Sequence, residues 1–161
     1  MADHHSRSVA DIRADRNALQ GEEDAISFVR RLAQGRLDLV RDEQRRRASG
    51  ADTSSASFTD RLADVFGQQH GGGSARPPRE TNVAPDHPLV LELDELSAHF
   101  SFEQLENLDD SALDELGDAL ALFEKTCSQK RHDLFERIDA LTAELVQRVR
   151  EGGAGSVVKD Q

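Results

Sequence analysis

Five polar residues, Glu23, Ser27, Arg30, Gln34 and Asp38, follow the spacing E-x3-S-x2-R-x3-Q-x3-D, and Glu124, Ser128, Arg131 and Asp139 repeat it with Phe135 at the fourth place. At about 100° per residue each set falls within an arc of roughly 80° on one helix face. Each set spans about 22 Å along its helix. An arginine guanidinium offers a planar fork that matches the O6 and N7 acceptors of guanine. A carboxylate accepts from guanine N1–H and the exocyclic amine on the opposite edge. Ser and Gln suit ribose or phosphate oxygens, and Arg31, Arg36, Lys130 and Arg137 add positive charge nearby. Two equivalent stripes imply approximate two-fold symmetry, which suits a ligand of the same symmetry. A guanine-based cyclic dinucleotide meets all of these conditions. The alternative is structural: flanking positions of a coiled coil joined by interhelical salt bridges, giving a scaffold or oligomerisation module that binds no nucleotide. That reading explains Glu and Arg, but not the repeated Ser or the common register in two otherwise different helices.

The elements that must hold these stripes are two long helices. Residues 1–21 are polar and weakly patterned and are expected to form a disordered N-terminal arm. Residues 22–49 read as the first motif helix, closing on Arg45, Arg46 and Arg47 with Gly50 just beyond, the usual signs of a helix C-terminus. A Ser/Thr/Ala linker leads to a short amphipathic helix over 58–66, and residues 67–88 form a flexible Gly/Pro linker. Residues 89–150 hold an acidic segment and the second motif helix, and 151–161 form a disordered tail. Within them, Leu89 to Leu93 could pass for a strand, but no second strand exists to pair with it. Ser101 and Gln104 form a capping box for a short helix. Asp110 or Ser111 then caps a long helix that runs to about Arg150 and ends at Gly152 and Gly153.

A seam of Leu116, Leu120, Phe123, Cys127, Leu134, Ile138, Leu141 and Leu145 matches one of Ile26, Val29, Ala33, Leu37 and Val40 in the first helix. Zipped together they predict an all-α fold, an antiparallel two-helix coiled coil (a helical hairpin) with short accessory helices and disordered linkers. Cys127 falls on the seam as a small buried hydrophobe. A second apolar strip, Phe28, Leu32 and Leu39, points away from it, to be covered by the 58–66 helix or by a partner.

With no Trp, no Tyr and seven Phe among 161 residues, the chain cannot fill a thick globular core but can fill a seam between helices. Its formal net charge is −11, and residues 86–120 contain eleven Asp or Glu and no Lys or Arg. Such a block argues against direct nucleic-acid or anionic-membrane binding and suits a basic protein surface. Asp109, Asp110 and Asp114 are the rim charges expected to steer such a partner. The single cysteine allows no internal disulfide, and no apolar run reaches the length of a membrane span, so the expected location is cytoplasmic. His4 and His5 lack partner ligands at helical spacing, so no metal is expected. Phosphodiester hydrolysis would need a metal site or an activated base cluster, and the sequence provides neither, so the chain reads as a binding protein and not an enzyme.

The repeated motif resembles that of the RsiG-type anti-sigma factors of actinobacteria, the aerial mycelium formation protein family. SFVRRLAQGRLDLVRDE, starting at Ser27, is similar to the family's first motif helix, and RIDALTAELVQR, starting at Arg137, is similar to the end of its second. The resemblance implies an antiparallel coiled coil whose two motifs hold two molecules of cyclic di-GMP. It further implies that the loaded protein sequesters a WhiG-type sporulation sigma factor. Glu23, Ser27, Arg30, Gln34 and Asp38 match one motif in full, and Glu124, Ser128, Arg131 and Asp139 match the other. Phe135 departs from it, removing one polar contact and offering a ring for stacking.

Overall fold

A computed structural model describes residues 7–50 and 83–156. They form helix α1 (Val9–Ala48), helix α2 (Pro88–His99), a 3-10 segment (Phe102–Asn107) and helix α3 (Asp110–Ser156), with no strand among the described residues. The expected helix at 58–66 and most of the 67–88 linker lie outside the described residues.

Helix α1 begins at Val9, not at residue 22, which corrects the expected disordered arm. Ser8 and Asp11 explain the early start by satisfying each other's orphan groups. The Asp11 amide donates to Ser8 Oγ at 3.1 Å, and the Ser8 amide and hydroxyl donate to Asp11 Oδ2 at 3.0 and 2.7 Å. These bonds from Ser8 hold the exposed Asp11 carboxyl below its ordinary value. The other end follows expectation: three arginines stand in the last turn, and Gly50 turns out of the helix at φ +63°.

The stretch from Leu89 to Leu93 is helical. Pro88 stands at the start of α2, where its missing N–H loses nothing, and His87 Nδ1 accepts from the Leu89 amide at 3.2 Å. Leu89, Leu93 and Ser97 are its buried residues, a spacing of four that belongs to one helix face. The Ser101–Gln104 capping box does not form. An N-cap needs extended backbone, whereas Ser101 is left-handed at φ 53° and its side chain caps nothing. The cap of α3 is Asp109, whose Oδ1 accepts from the Ala112 amide at 2.8 Å. Helix α3 also continues through Gly152 and Gly153 to Ser156. Glycine costs a helix about 1 kcal/mol relative to Ala and need not end it.

The chain divides into two compact units, residues 25–128 and residues 1–24 with 129–161. In the first, Ile26, Val29, Ala33, Leu37 and Val40 of α1 and Leu116, Leu120, Phe123 and Cys127 of α3 are buried, as the seam requires. The two helices run antiparallel there, with Arg30 bonded to Glu124, Gln44 to Asp114 and Arg47 to Asp110. They approach closely at Gly117, where a Cβ would stand 3.3 Å from Val40 Cγ1. In the second unit Ile12, Leu134 and Ile138 are buried, and Arg131 with Glu23 and Arg148 with the Arg7 carbonyl again set α1 and α3 antiparallel. The seam thins toward the end of α3, where Leu141 and Leu145 are half-buried and Val146 and Val149 exposed.

On the strip facing away from the seam, Leu39 is buried and Phe28 and Leu32 half-buried. Helix α2 occupies this side at Arg36, which donates to the Leu93 carbonyl at 3.1 Å, to Ser97 Oγ at 2.6 Å and to Asp94 at 2.8 Å.

Candidate functional site

In the unit of residues 25–128, α1 presents Ser27, Arg30, Gln34 and Asp38, and α3 presents Glu124 and Ser128. Arg30 Nη1 donates to Glu124 Oε1 at 2.9 Å, and Ser128 Oγ donates to the same oxygen at 3.0 Å. The Arg30 and Glu124 side chains are each 25 % exposed, so the pair is partly shielded from water. Arg30 Nε is buried with no hydrogen-bond partner. Ser27 and Asp38 are half-buried and Gln34 is exposed.

In the unit of residues 1–24 and 129–161, the other ends of both stripes meet. Arg131 Nε donates to Glu23 Oε1 at 3.0 Å, and Gln20 Nε2 donates to Glu23 Oε2 at 3.2 Å. Glu23 is only 5 % exposed. The Arg131 guanidinium lies over the Phe135 ring, 5.4 Å from its centroid, within cation–π range. Phe135 remains 41 % exposed, and Asp139 is exposed.

The same pairing therefore occurs in each unit: the arginine of one motif meets the glutamate of the other. Motifs of common register on antiparallel helices require this reciprocity, and it gathers Arg30, Glu124 and Ser128 at one place and Glu23 and Arg131 at another. Gln34, Asp38 and Asp139 are not drawn into either cluster. Gln20 is a neighbour that the motif did not signal, although it stands three residues before Glu23 on the same face. Arg36, expected to add charge beside the stripe, is instead tied to α2 and lies 5.8 Å from the Phe102 ring centroid.

A separate cluster fastens the C-terminal end of α1. Glu43 is 1 % exposed and accepts from both Arg46 and Arg47. Arg47 also bonds Asp110 at 2.8 Å and reaches the carbonyls of Leu105 and Glu106 at 3.4 Å. The Glu43 carboxylate raises the Arg46 guanidinium above its ordinary value, and Asp110 followed by Glu43 does the same for Arg47.

Three acids expected to be free rim charges are engaged instead. Asp109 caps α3, Asp110 holds Arg47, and Asp114 accepts from Gln44 at 2.6 Å. Glu92, Glu95, Glu103, Glu115 and Asp118 are exposed. Among the described residues no three His, Cys, Asp or Glu side chains gather as a metal site would require, and no helix is long and apolar enough to cross a membrane.

Residues 1–66 match the protein family described as RsiG-like. The match contains the whole first stripe and ends before the second. No curated protein matches the chain.

Proposed function

We propose that this chain is a cytoplasmic anti-sigma factor that binds cyclic di-GMP through its two stripes and, when loaded, sequesters a WhiG-type sporulation sigma factor. The match of residues 1–66 to the RsiG-like family supports the regulatory role. The observation that carries the nucleotide reading is the reciprocal pairing, Arg30 with Glu124 and Arg131 with Glu23. Each pair joins a fork suited to the guanine O6/N7 edge and a carboxylate suited to the N1/N2 edge. Each unit thus offers one such place to a guanine, so that two ligand molecules would each put one guanine there. Opening the Arg30–Glu124 pair gives up one charge-assisted hydrogen bond, for which a bidentate guanine contact worth about 1–3 kcal/mol compensates.

The competing reading is a coiled-coil scaffold, and the same two pairs favour it, because each arginine already has a carboxylate. The two are separated by calorimetric titration with cyclic di-GMP beside GTP and cyclic di-AMP. We expect cyclic di-GMP alone to bind, and Arg30→Ala or Arg131→Ala to weaken it by about 1–3 kcal/mol with little change in helicity. Absence of cyclic di-GMP binding leaves the scaffold reading standing, and binding that survives both substitutions intact overturns the assignment of the guanine contacts to Arg30 and Arg131.

A further inference from the structure

The two stripes differ in the state of their arginines. Arg30 gives Nη1 to Glu124, and that oxygen also receives Ser128, so one nitrogen of its fork is already engaged. Arg131 is held from behind. Its Nε is bonded to the buried Glu23, which Gln20 braces from the other oxygen, and its guanidinium rests over the Phe135 ring. Neither Nη atom of Arg131 takes part in these contacts, so the guanidinium is held in place while both remain to meet a ligand. A guanidinium fixed in this way loses less rotamer freedom on binding than a mobile one.

We infer that Phe135 is a positioning and stacking residue, and that the Arg131 site takes the guanine of cyclic di-GMP ahead of the Arg30 site. The inference rests on reading the stripes as nucleotide-binding. The phenylalanine stands where the other stripe has Gln34, so its replacement of an amide exchanges one hydrogen bond for a ring. One part of that ring orients Arg131, and the 41 % left exposed offers an apolar surface to a planar base. The Arg30 site has no aromatic neighbour in its stripe, and its arginine must release Nη1 from Glu124 before it can present both nitrogens.

The test is calorimetric titration of the full chain with cyclic di-GMP, for the wild type and for Phe135→Leu, Phe135→Gln, Arg30→Ala and Arg131→Ala. A ligand-free NMR readout of the Arg131 Nε–H signal accompanies it. We expect two binding events. Phe135→Leu should weaken the tighter one by roughly tenfold, within the range of a lost base–aromatic stack, and leave the weaker one unchanged. Arg131→Ala should weaken mainly the tighter event and Arg30→Ala mainly the weaker one. In the absence of ligand, Phe135→Leu should shift the Arg131 Nε–H signal by loss of the ring current while leaving the melting temperature near that of the wild type. The inference is overturned if Phe135→Leu leaves both events untouched or weakens them equally, or if Phe135→Gln binds more tightly than the wild type. Each of those outcomes spares the nucleotide reading. A wild type that binds no cyclic di-GMP removes both.

Discussion

Glu23 and Glu124 occupy the same place in the two stripes but not the same environment. The Glu23 side chain is 7 % exposed and that of Glu124 25 %. A hydrogen bond from a charged donor to a sheltered carboxylate contributes about 1.5–3 kcal/mol, and the contribution falls as the pair becomes more accessible to water. Glu23→Gln should therefore lower the stability of the ligand-free protein by about 1–2 kcal/mol more than Glu124→Gln. Equal losses in chemical denaturation would show that the burial of Glu23 has no energetic weight. At this scale the sequence makes the stripes legible because a spacing of four, three, four and four keeps five side chains on one arc. Which members touch a partner is not legible, since that depends on the facing helix. Gln34 and Asp139 share the arc with Arg30 and Arg131 yet stay exposed. Arg36 is placed wrongly from sequence because its partners, Leu93, Asp94 and Ser97, lie more than fifty residues away along the chain.

Both long helices could be seen in the pattern of apolar residues, but their ends could not all be seen there. The first turns of α1 bury Ile12, and Ile12 and Leu19 extend the seven-residue spacing of Ile26, Ala33 and Val40 toward the N-terminus; the start itself is marked by the local pair Ser8 and Asp11, three residues apart. Glycine by itself does not stop a helix here. Gly50 ends α1 because it takes a positive φ, whereas Gly21 and Gly152 lie inside helices and a Cβ at either would meet nothing within 4 Å. Gly21→Ala should accordingly stabilise the protein by about 0.5–1 kcal/mol. Gly117 is also helical, but its Cβ would press on Val40 Cγ1 at 3.3 Å. Gly117→Ala should gain clearly less than Gly21→Ala, because Val40 must shift in a packed seam to make room. The comparison is made in thermal melts of the two single variants. A gain at Gly117 equal to that at Gly21 would mean that the seam is loose at Val40.

The property of the whole chain that no single residue expresses is its charge of −11, concentrated over residues 86–120. On the anti-sigma reading this acid faces the basic surfaces of sigma, and charges on a solvated rim act on the rate of encounter more than on the lifetime of the complex. Choosing which charges to reverse requires the structure. Asp109, Asp110 and Asp114 cap α3, hold Arg47 and accept from Gln44, so their reversal would damage the fold and could not be read as steering. Glu92, Glu95 and Glu115 are exposed and stand outside those contacts. Changing these three to Lys should slow association with sigma and reduce its dependence on salt, with a smaller effect on dissociation and no loss of helicity. The same binding kinetics, run with and without saturating cyclic di-GMP, test the regulatory logic. If ligand and sigma favour one state of the protein, cyclic di-GMP must tighten sigma binding by the factor by which sigma tightens cyclic di-GMP, because the coupling free energy is shared. A scaffold predicts no coupling, since its stripes have no ligand to offer. Sigma affinity that is the same in both conditions would sink the regulatory mechanism even if the nucleotide binds, and would leave a nucleotide-binding protein that acts on another partner.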